Sequence, residues 1–430
     1  MKNSKKIFLS NARIIDPRNN LDQKGEILVS NGRIEAVASP GSLEAPEGCQ
    51  HIDIEGKWLT PGLIDMHVHL REPGEEYKET IASGTRAAAA GGFTAVACMP
   101  NTRPVNDSET VTSMILTKAA GCPARVYPVG AVSKNSEGES LAPFGELKKA
   151  GAVAFSDDGR PVISSLFMRR ALEYGANYDM LVISHPEESS LSKNGGMNEG
   201  PISTRMGLRG IPSVAETIMV YRDLALAEYL KRPIHLAHIS TGEAVDLIRR
   251  AKERGVRVTA ETAPHYFTLS EEAVGQYDTN AKMNPPLRNS RDREAVRRGL
   301  EDGTLDVIAS DHAPHSTLEK DLEFEEAANG ITGLETAVPL ALALVREKIL
   351  TPAGMVELMS LNPARVLGVE GGSLEEGAVA DLTVIDPEQE FTYQPEEVVS
   401  KSRNSPFLGR QLKGRAVLTI MDGEIRFSRG

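Results

Sequence analysis

The sequence predicts an α/β protein: a (β/α)8 barrel of the TIM type carrying a small β-sandwich domain built from both chain ends. Three observations predict it. At 430 residues the chain exceeds a usual single domain but fits a closed barrel with a small appendage. Eight apolar runs end near His67, Met99, Val129, Phe155, Ser184, Ile239, Ala260 and Ser310, with helical runs between them. Eight strand-helix units are what such a barrel requires. Both termini read instead as short alternating strands. The expected division is residues 1–57 and 371–430 for the small domain, with 58–370 forming the barrel.

From the amino terminus, strands are expected at Ile7 to Leu9, Arg13 to Ile15, Gly25 to Val29, Arg33 to Val37 and His51 to Ile54. Asn31-Gly32 favours a type I′ hairpin turn, so this unit reads as antiparallel. Residues 378 to 386 and 416 to 427, with a turn at Asp422-Gly423, have the same texture. In the middle, helices are expected over Glu76 to Ala90, Ser165 to Tyr174, Val214 to Tyr229 and Gly242 to Arg254. The β-branched runs Val182-Ile183, Val256 to Val258 and Val307-Ile308 suit strands buried on both faces.

The apolar run from Trp58 to Ile64 leads into Asp65-Met66-His67-Val68-His69. In an extended chain residues i and i+2 share a face, so both imidazoles can reach one metal ion. Alone, that pair is weak. A barrel strengthens it, because the carboxyl ends of all eight strands ring one mouth where active sites form. His67 and His69 would come from the first strand, Asn101 from just past the second, Asp158 from the fourth, His185 from the fifth, His238 from the sixth and Asp311 from the eighth. His235, three residues before His238, would point away from the site. Asp157 and Asp158 leave an extended backbone on opposite faces; one would bridge two ions and the other face away, and the sequence alone does not choose between them.

Such a cluster suits divalent ions, which acidify water and polarise a carbonyl. Asp311 is placed both to hold an ion and to pass a proton to a leaving nitrogen. Arg71 has the planar fork for a substrate carboxylate and shares the parity of His69 if the chain stays extended. Asn101, Asn284 and His315 are further donors, the Asn284 loop being stiffened by Pro285 and Pro286.

A net charge of −12 argues against a nucleic-acid surface. The basic runs Arg169-Arg170 and Arg288 to Arg298 read as solvated helix faces. Three cysteines without paired spacing argue against a disulfide framework, and Cys98 reads as a small core residue. No apolar run is long enough to span a bilayer and no apolar leader opens the chain, so no membrane partner and a cytoplasmic location are expected.

The ordered set DMHVHLREPG (65–74), MPNT (99–102), FSDDG (155–159), AHIS (237–240), ETAPHY (261–266), KMNPPLR (282–288), SDHAPH (310–315), GLETAVPL (333–340) and NPARVLG (362–368) resembles dihydroorotases of the long bacterial type, within the amidohydrolase superfamily. The resemblance covers nearly the whole chain. It implies reversible closure of N-carbamoyl-L-aspartate to L-dihydroorotate, a step of pyrimidine synthesis, with two zinc ions per subunit. His67 and His69 match ligands of the more buried zinc and His185 and His238 those of the second. Asp158 matches the bridging carboxylate, and Asp311 the last ligand and catalytic acid/base. Arg71, Asn101 and His315 match binders of the substrate carboxylate, Asn284 a residue holding the pyrimidine ring, and the loop at Ala328, Asn329 and Gly330 part of the pocket. The resemblance also implies a homodimer and an association with aspartate transcarbamoylase.

Two departures discriminate. Hydantoinases, dihydropyrimidinases and allantoinases bridge their metals with a carboxylated lysine on the fourth strand, whereas residues 155 to 159 contain none and Lys148 and Lys149 precede the strand. Ala327-Ala328-Asn329-Gly330 replaces the Ala-Pro-x-Gly of the pattern, which bears on loop shape. The competing readings are a different cyclic amide hydrolase and a metal-poor barrel serving only as a structural partner of the transcarbamoylase; the latter requires lost ligands, and none is missing.

Overall fold

The computed structural model describes residues 6–429. Eight parallel strands run in sequential order: β1 (Leu63–Val68), β2 (Phe93–Cys98), β3 (Arg125–Gly130), β4 (Ala154–Ser156), β5 (Leu181–Ser184), β6 (Ile234–Leu236), β7 (Val258–Thr262) and β8 (Val307–Ile308). The ring closes just beyond β1 and β8. There Val68 bridges His312 in parallel register, and the His69 N–H donates to the His312 carbonyl at 2.8 Å. Asp65 fastens the same seam by accepting the N–H groups of His67 and Ser310. Ile64, Met66, Ala95, Ala97, Ile183 and Val307 belong to one buried cluster, so small and branched chains fill the bore as the fold demands.

The terminal segments form one eight-stranded mixed sheet around its own apolar core of Leu9, Ile14, Ile27, Leu59, Leu382 and Ile420. Asn31 and Gly32 both take positive φ, as the expected hairpin turn requires. The two short strands read at residues 7–9 and 13–15 are one strand, Lys6–Asp16, with a register shift where Asn11 turns to positive φ. Nor is the sheet purely antiparallel: Gln50–Asp53 and Trp58–Pro61 both pair with Lys6–Asp16 in parallel.

The apolar run 58–64 divides. Trp58–Pro61 belongs to the terminal sheet, between Lys6–Asp16 and Leu382–Thr392, and β1 begins at Leu63. Gly62 marks the crossing, where any Cβ would stand 2.2 Å from the Thr94 hydroxyl. The first helix starts at Ile81 rather than Glu76, because Thr80 and Ser83 form a reciprocal capping box there. Arg288 also departs from the expected solvated face: it is buried, donating to Ser240, Asn198 and the Ile211 carbonyl. Cys98 is buried. No helix among the described residues is long and apolar enough to cross a membrane.

Candidate active site

Beyond the strand ends the predicted ligands converge. His67, His69 and Asp158 offer one ligand atom each within 4.8 Å of one another, and so do Asp158, His185 and His238. Asp158 is common to both groups. Its Oδ1 lies 3.4 Å from His67 Nε2 and 3.3 Å from both His185 Nδ1 and His238 Nε2, while Oδ2 lies 3.5 Å from His69 Nε2. Asp311 completes the ring of donors, with Oδ1 3.2 Å from His69 Nε2 and 3.6 Å from His67 Nε2.

The structure decides between the adjacent aspartates. Asp157 turns away to accept the N–H groups of Val132 and Ser133 and the Ser133 hydroxyl, capping the loop after β3. Asp158 alone faces the histidines. Both donor groups are built from histidine and aspartate, with Asp158 in the shared position.

The outward ring nitrogens explain why a cation fits. His67 Nδ1 lies 2.5 Å from a Glu261 oxygen, His69 Nδ1 lies 2.9 Å from Asn101 Oδ1, and His185 Nε2 lies 3.1 Å from Glu187. Each of these partners is an acceptor, so each of those nitrogens carries the proton and the opposite nitrogen presents a lone pair. Three lone pairs therefore face the oxygens of Asp158 and Asp311, and His67 Nε2 is buried with no hydrogen-bond partner. Acceptors crowded against acceptors are reconciled by a positive charge at their centre. The donor set of imidazoles and carboxylates suits a borderline divalent ion.

The carboxylates draw positive charge into the site, and protons compete with a metal ion for these same ring lone pairs. Burial opposes charge on His67 and His185, yet Asp158, with Glu261 and Glu187, draws the first well above the usual histidine range and the second up to about 10. Asp311 is held below its ordinary value despite burial, through His69 and His67.

Three site residues adopt the left-handed region: Arg71 (φ 62°), His238 (φ 36°) and Asp311 (φ 48°). Side chains other than glycine seldom occupy it, and surrounding packing must hold them there. The parity expected to align Arg71 with His69 therefore fails, because the chain bends at Arg71. Its guanidinium reaches the mouth all the same, donating from Nε to the Pro314 carbonyl at 3.1 Å. One terminal NH2 faces His315 Nε2 at 3.3 Å.

His315 Nε2 also lies 2.8 Å from the Asn329 carbonyl, which can only accept. Burial, with Arg71 adding to it, pushes His315 down to about 3, so the ring is neutral and its Nε2 proton goes to Asn329. The facing Arg71 N–H is then a buried donor without a good acceptor, a ready contact for an anion.

Asn284 lies on the other side of the cluster, donating to Glu187 at 3.1 Å. It lines a cleft of about 570 Å³ with Glu187, Lys282, Ala327, Ala328 and Asn329. Arg71, Asn101 and His315 do not line that cleft; Asn329 touches both sides through its carbonyl bond to His315. Of the three loop residues, Ala328 and Gly330 present their carbonyls to Lys320.

Sequence reasoning missed the residues that orient the ligands. Glu261 holds His67 and, through its second oxygen at 3.2 Å, His235; His235 belongs to neither donor group, but it shares the Glu261 carboxylate with His67 rather than pointing away. A glutamate within an apolar buried strand was the available signal. Glu187, two residues after His185, carried a weaker one. Asn404, whose amide spans the Ala313 and Gly330 carbonyls, carried none.

A profile of the family described as Dihydro-orotase-like matches residues 56–244. The dihydroorotase of Desulfotalea psychrophila is 59% identical over 423 residues, covering 98% of this chain and 100% of that protein. The dihydroorotase of Syntrophus aciditrophicus is 55% identical, covering 98% and 99%. Among solved structures, L-hydantoinase from Arthrobacter aurescens aligns with a TM-score of 0.88 at 24% identity, covering 99% of this chain and 96% of that one. Dihydropyrimidinase from Brevibacillus agri NCHU1002 aligns at 0.84 with 23% identity, covering 98% and 95%. At such identities the structural likeness establishes the barrel and its flanking sheet.

Proposed function

The chain belongs to the dihydroorotase family, and on that premise we propose how its residues serve the reversible closure of N-carbamoyl-L-aspartate to L-dihydroorotate and water. It is a cyclic amidohydrolase of pyrimidine biosynthesis. The observation that carries the reading is the convergence of imidazole lone pairs and two carboxylates at one mouth.

His67, His69, Asp158, His185, His238 and Asp311 would hold two zinc ions per subunit, Asp158 being the residue common to both donor groups. Bound there, the ions would acidify a water and polarise the scissile carbonyl. The chain supplies the remainder. Arg71, with Asn101 and His315 beside it, takes the substrate carboxylate, and Asn284 holds the ring. In hydrolysis Asp311 accepts the proton of the attacking water and delivers it to the ring nitrogen as the C–N bond breaks. In synthesis the ureido nitrogen attacks the side-chain carboxylate carbon and Asp311 takes the proton that nitrogen loses; the C–O bond then breaks, and the departing oxygen leaves as water with that proton and one from solvent.

The purified protein, assayed on dihydroorotate beside hydantoin, dihydrouracil and allantoin, should prefer dihydroorotate; preference for any of the others would overturn the assignment. We further propose a cytoplasmic homodimer that associates with aspartate transcarbamoylase. Size-exclusion of the separate and mixed proteins reads both associations.

A further inference from the structure

Lys320 ends the short helix Thr317–Lys320 and is buried. Its three partners are all backbone carbonyl oxygens: Ala328 at 2.7 Å, Gly330 at 3.0 Å and Lys282 at 3.3 Å. A buried ammonium with no carboxylate against it is unfavourable. Burial and the neighbouring Lys282 push Lys320 down to about 7, while Asp278 and Glu319 pull the other way. An apolar side chain of the same length would fill that volume more cheaply, so the ammonium serves something besides packing.

What it gathers is the loop beside His315. With the carbonyls of Ala328 and Gly330 turned to Lys320, the carbonyl between them, Asn329, is left to accept from His315 Nε2. Asn404 closes the other edge by donating to the Gly330 and Ala313 carbonyls and accepting the His315 N–H. Gly330 sits at φ 130°, and any Cβ there would lie 2.6 Å from Ala313 Cβ. The loop therefore has little freedom to reach His315 in another way.

We propose that Lys320 is a positioning residue for recognition of the substrate carboxylate: its ammonium sets the Ala328–Gly330 loop so that Asn329 occupies His315 and leaves the Arg71 N–H free for the anion. This rests on the carboxylate-binding role proposed above for Arg71. Lys320 touches neither the donor groups nor the reacting atoms, so its loss should weaken substrate binding far more than turnover.

The test is Lys320→Met in the full-length, metal-loaded enzyme, read by steady-state hydrolysis of dihydroorotate and by hydrogen exchange over residues 326–333. We expect KM to rise about 10-fold or more with kcat within about threefold, and faster exchange at the Ala328 and Gly330 amides. KM within twofold and unchanged exchange overturns the proposal, as does a fall confined to kcat. Should the variant not fold, Asn404→Ala must give the same split between KM and kcat, and its absence is equally fatal. If the wild-type enzyme does not hydrolyse dihydroorotate, the activity assignment fails instead, and the exchange result alone decides whether Lys320 holds the loop.

Discussion

The Nδ1–H of His67 meets the Glu261 carboxylate at 2.5 Å, and that bond turns His67 Nε2 toward Asp158 and Asp311. Carboxylates in this relation to a metal-binding histidine fix its tautomer and raise its basicity. Glu261→Gln should therefore weaken metal binding by roughly 10–100-fold while leaving the fold intact. Competition against a chelator of known affinity measures it, and unchanged affinity would show that His67 is oriented by something else.

Asp311→Asn keeps the shape of the side chain and removes its capacity to take a proton. Turnover should fall by ~100-fold or more in both directions, the scale of general acid-base transfer. A rate within about threefold of wild type would remove Asp311 from the chemistry.

Arg71→Met should raise KM for dihydroorotate about 100-fold, because it leaves the substrate carboxylate buried without its charged partner. Metal content should not change, since Arg71 belongs to neither donor group. An unaltered KM would place the carboxylate elsewhere.

Glu335 lies away from the donor groups, accepting the N–H groups of Val399 and Ser400. Burial pushes its carboxyl from the ordinary 4.5 up to about 7, although those bonds and Arg429 pull it down. A carboxyl raised on folding stabilises the native state below its unfolded value, and that contribution disappears as pH rises through the folded one. Between pH 5 and pH 8 the wild type should lose about 2 kcal/mol that Glu335→Gln does not. Urea midpoints of both proteins at the two pH values test this; parallel changes would contradict it.

Much of the site is legible in the sequence because barrel strands end at one mouth, so a histidine or aspartate closing an apolar run marks its own position. His67, His69, His185, His238 and Asp311 follow from that rule. The choice between Asp157 and Asp158 does not, since it depends on which of the two the loop at Val132 and Ser133 engages. Arg71 shows the limit of parity: alternation holds only while the backbone is extended, and a positive φ ends it. The start of the first helix was blurred for a local reason, as residues 76–79 have helical composition but the Thr80 cap lies after them. Lys320 and Asn404 bond backbone groups of the loops beside His315, contacts that leave no trace in residue type.

Metal content per chain, measured with dihydroorotate turnover before chelation, after it and on return of zinc, tests the two-ion reading most directly. Turnover should fall at least ~100-fold on chelation and recover in step with zinc bound, levelling when both donor groups are filled. A metal-free preparation that keeps full turnover would contradict it.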